Sequence, residues 1–324
     1  MREILDVIEE AAAEGERVAL ATVVSTIGSS PQQPGAKMAI RSDGRFVGSV
    51  SGGCVEADVV ERSKALFAGG EPELVHYGVA DADAFEVGLS CGGEIDVWLE
   101  VADPALWSDV ARMLDAGEAG TLTTSTATGE KRLEHGLVEA TGLRDDGVFA
   151  EAIEPPLELV IFGAAEIAEH LCAYGRQLGW HTTVVDARPA LATRERLPSA
   201  DEIVAGWPDD VGHLIDDRTV ALTLSHEERF DLPALATALR HNARYIGAIG
   251  APRTQQRRRS ALAEQGFSEA ELARIHGPVG LDLGGRSAAQ VALAIAAEIV
   301  AITSGGLAGR EAARAGASGG SGAG

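Results

Sequence analysis

Apolar residues Ile4, Leu5, Ile8, Ala11 and Ala12 recur at helical spacing with acids opposite, and the pattern stops at Gly15. That spacing predicts an amphipathic helix ahead of a strand at VALATVV. The stretch IGSSPQQPGA reads as a loop from its Pro and Gly content. KMAIRSDGRFVGSV then reads as two strands about the turn Ser42-Asp43-Gly44, and Gly52 and Gly53 lead into a helix from about Cys54 to Ala68. Strand ELVHYGV, the polar loop DADAFEVGLSCGG and strand EIDVWLEV close a small α+β domain over residues 1–102. Between 103 and 156 the periodicity weakens to a helix around WSDVARMLDAG, a strand TLTTST and the turn-rich TGLRDDG, so this part is expected to be a connecting segment.

From Leu157 the pattern changes to regular alternation. LELVIF, HTTVVD, DEIVAGW, TVALTLS and RYIGAIG read as strands, with helices at AEIAEHLCAYGRQLG and DLPALATALRHN and a closing, largely buried helix AAQVALAIAAEIVAIT. Strands that alternate with helices imply a doubly wound parallel sheet, hence α/β class with a Rossmann-like domain over 157–304. The Gly/Ala/Ser-rich tail, 305–324, is given no structure.

Composition adds limits. The 324 residues are enough for two domains, and 45% hydrophobic with 23% charged residues is ordinary for a globular chain. A net charge of −22 without a basic tail argues against nucleic-acid or anionic-lipid partners. The acidic start MREILDVIEE lacks a signal-peptide core, and no long uninterrupted apolar run appears, so a cytoplasmic, non-membrane protein is expected. A reducing compartment keeps the three cysteines, Cys54, Cys91 and Cys172, as thiols.

Two of them stand beside glycine pairs, in SVSGGCVEADVV and SCGGEID, each with a carboxylate within three residues. Cys54 is placed in the first turn of its helix, where unsatisfied N–H groups and the helix dipole favour thiolate. Cys91 precedes Gly92 and Gly93 at a strand entrance, where backbone can approach a ligand closely. Small buried hydrophobes, a zinc site near His76 and a disulfide switch remain alternatives for the pair.

In LVIFGAAEIAEHL a strand, a glycine and a helix follow one another as a phosphate-binding turn requires, and Asp186 ends the next strand, after Gly163. Ala165 replaces the middle glycine of the dinucleotide fingerprint and Glu166 adds an anion, which weakens the expectation of NAD(P) binding. Arg188 is a candidate for a ribose phosphate. His226 and Gly250 sit at carboxyl ends of strands, and Arg253 shares a helix face with Arg257 while Arg258 and Arg259 turn elsewhere. Asp282 lies in the Gly-punctuated HGPVGLDLGG.

The segments ATVVSTIGSSPQQPGAKMAI, GSVSGGCVE, LSCGGEIDVWLE, VVDAR, YIGAIGAPRT and HGPVGLDLGGRSAAQVALAIAAEIVA, with the strand–turn–helix at Leu157, resemble the XdhC/CoxI family of maturation factors for molybdenum hydroxylases. The resemblance implies a maturation factor rather than a stand-alone enzyme. Such a protein binds molybdenum cofactor transiently, as molybdopterin or molybdopterin cytidine dinucleotide. It supports the cofactor's sulfuration with a cysteine desulfurase and inserts it into a xanthine dehydrogenase- or carbon monoxide dehydrogenase-type apoenzyme. Cys54 and Cys91 would contact molybdenum or carry sulfur; Gly52, Gly53, Glu56, Gly92 and Gly93 would line the same pocket. The family usually has Gly-Ala-Gly-His where this chain has Gly163-Ala164-Ala165-Glu166. An NAD(P)-dependent oxidoreductase with His226 as acid or base is the alternative, and a homodimer is left open.

Overall fold

Alternation along β1 (Val18–Ile27) sends Ala19, Ala21 and Val23 to one face of a sheet and Val18 and Leu20 to the other, as a strand covered on both faces requires. The computed structural model describes residues 1–78, 89, 92–137, 140–225 and 227–303. It divides into two units, Met1–Pro155 and Pro156–Gly324.

In the first unit α1 (Arg2–Ala13) precedes β1, followed by β2 (Lys37–Arg41), β3 (Phe46–Gly48), α2 (Glu56–Phe67), β4 (Glu73–Tyr77), β5 (Glu94–Val101) and α3 (Pro104–Asp115). The five strands form an antiparallel sheet in the order β3-β2-β1-β5-β4. Val55, Val59 and Leu66 cover one face from the start and body of α2, while Ile4, Leu5 and Ile8 of α1 and Trp107, Val110 and Leu114 of α3 cover the other. Each such side chain, once buried, contributes about 1.5–3 kcal/mol.

The stretch expected to connect the domains carries, beyond α3 and the expected strand β6 (Gly120–Ser125), three more strands: β7 (Lys131–His135), β8 (Gly142–Leu143) and β9 (Val148–Ile153). They form a second antiparallel sheet, β7-β6-β9-β8. Its charged positions hid it, because two of them, the buried Glu151 and the half-buried Lys131, pair with opposite charges from the first sheet. Lys37 of β2 meets Glu151 of β9 at 2.5 Å, and Lys131 of β7 meets Glu100 of β5 at 2.8 Å. Burial pushes the Lys37 ammonium below its ordinary pKa against the pull of Glu151.

The second unit runs β10 (Glu158–Phe162), α4 (Glu166–Leu178), β11 (His181–Asp186), β12 (Glu202–Ala205), a 3-10 turn (Pro208–Leu214), β13 (Val220–Thr223), α5 (Glu228–Arg240), β14 (Tyr245–Ala248), α6 (Pro252–Glu264), α7 (Glu269–Leu272), β15 (Ile275–His276) and α8 (Ala288–Thr303). All six strands are parallel in the order β12-β11-β10-β13-β14-β15. Leu159 and Ile161 pack with α4 and α8; Val160 and Phe162 pack with α5 and α6. This is the doubly wound α/β sheet expected from the alternation. The closing helix α8 is less enclosed than its composition suggests, for Leu293 and Val300 are exposed.

Candidate functional site

At one end of the first unit's five-stranded sheet the loop 28–36, between β1 and β2, touches both glycine pairs. A Cβ on Gly93 would fall 2.2 Å from Ser29 O, so only glycine lets these two chains meet. On the other side, the Cβ position of Gly52 lies 3.7 Å from Pro31. The two Gly-flanked segments, far apart in sequence, thus share one rim.

Glu56 builds the first of them. Its Oε1 accepts from Ser49 Oγ at 2.6 Å and from the backbone N–H groups of Val50, Ser51 and Gly52 at 3.2, 2.9 and 3.1 Å. Its Oε2 accepts from Ser51 Oγ at 2.5 Å and from the N–H groups of Gly53 and Val55 at 2.9 and 3.2 Å. Ser51 Oγ in turn accepts from Cys54 N–H at 2.9 Å. Burial alone would push this carboxyl up, but the hydroxyl and backbone donors outweigh it and hold the pKa at about 2. The carboxylate expected to face a ligand therefore faces its own loop.

Cys54 is exposed. It precedes the helix rather than sitting in its first turn, because Val55 is the N-cap and Glu56 the first helical residue. The backbone donors expected to favour its thiolate converge on Glu56 instead. Cys91 lies outside the described residues. Cys172, on α4, is buried, and burial pushes its thiol up to about 12. It is a core thiol. Among the described residues no group of three or more His, Cys, Asp and Glu side chains is placed to hold a metal ion.

Sequence reasoning missed a second cluster at this end of the sheet. Pairing of β1 with β5 slips between Val23 and Ser25, and this bulge sets Ser25 opposite Asp96. Asp96 accepts from Ser25 Oγ and lies 2.9 Å from His76 Nδ1, so the imidazole is held from one side. His76 and Asp96 are register partners on β4 and β5. No sequence signal marks a bulge or a register, which is why the cluster was invisible.

In the second unit Gly163, with φ of +112°, begins the turn after β10, and a Cβ there would meet Ser225 N at 2.8 Å. Asp186, 1% exposed, accepts from Ala164 N–H at 2.8 Å and from Arg188 Nε and Nη2 at 2.9 and 2.8 Å. Burial opposes its ionisation, but these donors hold its pKa below the usual carboxylate range. Ala165 is the N-cap of α4, with Glu166 following it exposed. The structure thus brings Asp186 and Arg188 together beside the turn that Gly163 begins. Gly250 accepts from Gln255 Nε2 at 3.1 Å, and Arg258, which turns away from the face of Arg253 and Arg257, buries an ion pair with Asp231. Arg257 pairs with Glu228 at 3.0 Å. Arg253 and Asp282 are exposed, and neither is bonded to the Gly163 turn. His226 lies outside the described residues.

A Gly-rich rim with an exposed cysteine in one unit and a Rossmann sheet with a modified turn in the other define the class. Residues 159–299 match the XdhC Rossmann domain, and residues 11–78 match the XdhC and CoxI family. The chain belongs to the XdhC and CoxI family. It is 29% identical over 303 residues to a protein of Escherichia coli K12 named molybdenum cofactor insertion chaperone PaoD, covering 93% of this chain and 88% of that one. It is 26% identical over 313 residues to a Bacillus subtilis 168 protein named as a probable xanthine dehydrogenase subunit, covering 88% of this chain and 93% of that one. A crystal structure described as a xanthine dehydrogenase from Bacillus halodurans shares the fold, with a TM-score of 0.79 at 24% identity over 93% of this chain and 96% of that one. No helix among the described residues is long and apolar enough to cross a membrane.

Proposed function

We propose that the protein is a molybdenum-cofactor chaperone. It holds the cofactor as cargo, supports exchange of an oxo ligand for sulfur supplied by a cysteine desulfurase, and hands the product to a xanthine dehydrogenase- or carbon monoxide dehydrogenase-type apoenzyme in the cytoplasm. The observation that carries the reading is the shared rim, where Gly52, near Cys54 in sequence, and Gly93, near Cys91 in sequence, meet one loop. An exposed cysteine sulfur, once deprotonated, is a soft ligand suited to molybdenum and to sulfur transfer. The relative named as a molybdenum cofactor insertion chaperone supports the same reading.

The alternative, an NAD(P)-dependent oxidoreductase, fits the second unit poorly. The acid that would hydrogen-bond a ribose hydroxyl, Asp186, is buried and already engaged by Ala164 and Arg188. Whether the cargo is molybdopterin or its cytidine dinucleotide is set by the phosphate end of the ligand. The test is reconstitution of client apoenzyme with cofactor-loaded protein: Cys54→Ser and Cys91→Ser variants are expected to lose delivery while remaining folded. Wild-type delivery by both variants would remove the proposed role of the thiols, and analytical ultracentrifugation of the loaded protein would test the homodimer.

A further inference from the structure

The strand order β11-β10-β13 places the turn after β10 between two loops that an ion pair joins. Arg188 follows β11, Glu227 follows β13, and Arg188 Nη1 lies 2.8 Å from Glu227 Oε1. The pair therefore spans the end of β10, where Gly163 begins its turn. Carboxyl strand ends at the point where strand order reverses are where open α/β sheets take their ligands.

The two carboxylates on this guanidinium are not equivalent. Asp186 is buried at 2% side-chain exposure, holds Arg188 through Nε and Nη2, and is itself fixed by Ala164 N–H. That contact presets the orientation of the fork. Glu227, by contrast, is half exposed, as is Arg188, so its carboxylate is held in water-screened surroundings and is exchangeable. A guanidinium with one edge anchored and the other edge on a replaceable anion is a preorganised receptor for a tetrahedral oxyanion, which the planar fork grips at two oxygens.

We propose that Arg188 is a receptor for a phosphate-ester group and that Glu227 occupies it until such a group displaces the carboxylate. The proposal rests on the cofactor-binding reading and adds to it where the phosphate end of the cargo is recognised. The shared chemistry is a phosphate or diphosphate ester, whether it belongs to the pterin itself or to a nucleotide extension. Asp186 has a positioning role here, since it sets the fork rather than touching the ligand.

The test is calorimetric titration of the full chain at low ionic strength with inorganic pyrophosphate, cytidine 5′-diphosphate and cytidine. Removing the competing anion with Glu227→Gln is expected to tighten binding of the phosphorylated probes about 5–10-fold. Arg188→Gln is expected to weaken it about 10-fold, with Arg188→Lys between, because lysine keeps the charge and loses the fork. Cytidine should be indifferent to all three changes. A response with both pyrophosphate and cytidine 5′-diphosphate supports recognition of the phosphate group itself; a response confined to cytidine 5′-diphosphate supports a nucleotide-borne phosphate. Unchanged or weaker binding in Glu227→Gln, wild-type binding in Arg188→Gln, or no binding of either phosphorylated probe by any of the proteins overturns the proposal. Because no molybdenum cofactor or client is present, a failure here is separable from a failure of Cys54 and Cys91 in delivery.

Discussion

Glu56→Gln is the perturbation that most directly tests how the cysteine loop is held. The carboxyl pKa stands at about 2 in the folded protein against an ordinary 4.5. That difference corresponds to about 3 kcal/mol of stabilisation at neutral pH. Because the folded value is the lower one, the contribution is fully present above pH 4.5 and is lost as the pH falls towards 2. The variant's glutamine would present one oxygen where two are used, and its amide would face the donors of Gly53, Val55 and Ser51. The expected result is local opening of residues 49–55, read as faster amide hydrogen exchange in that segment at neutral pH. The protection of that segment, taken relative to intrinsic exchange at each pH, should then fall in the wild type between pH 4.5 and 2 and change little in the variant. Parallel pH profiles for the two proteins would refute the argument, because they would mean that the charge of Glu56 does not hold the loop.

Further outcomes follow from other buried groups. Glu151→Ala, which leaves Lys37 buried without its partner, is expected to destabilise the first unit by about 3–5 kcal/mol, and Lys37→Met/Glu151→Leu to recover most of that in urea unfolding. Iodoacetamide should label Cys54 in the native protein and Cys172 only on unfolding, as peptide mapping by mass spectrometry would show. The His181 pKa is raised by its hydrogen bond to Glu158 against the opposing effect of burial. Its stabilisation is therefore present below an ordinary histidine pKa and lost as the pH rises through the folded value; both partners are over a third exposed, so the change should be within about 0.5 kcal/mol and absent in Glu158→Gln.

The parallel half was legible because its signal is redundant. The strands β10, β13 and β14 are short apolar runs, each leads into a helix, and Gly163 and Gly179 punctuate a strand end and a helix end. The second antiparallel sheet was not legible for a reason that lies in pairing. KRLEH and VFAEAI place charges where a core position would be expected to be apolar, and those charges are tolerated only because Lys37 and Glu100 answer them from strands distant in the chain. A local pattern cannot report a partner on a distant strand, 114 residues away for Lys37 and Glu151. The bulge after Val23, which brings Ser25 to Asp96 and His76, was hidden in the same way.

The acids beside the two glycine pairs show what sequence proximity does and does not convey. The glycines do meet at one rim, yet reading Glu56 as a ligand contact assigns the wrong direction to its carboxylate. A carboxylate two residues after a cysteine, at the start of a helix, has donors of its own backbone within reach before any ligand arrives. Ser49, Ser51, Gly52 and Gly53 supply them, so the acid is consumed in shaping the loop. The same logic applies at the Rossmann turn. Asp186 stands at the position from which an acid would grip a ribose, but the Ala164 amide and Arg188 are nearer, and it becomes the anchor of the arginine instead. In both units an acid near the expected site is taken up by its own surroundings, Glu56 by the loop it holds and Asp186 by the Ala164 amide and the Arg188 guanidinium.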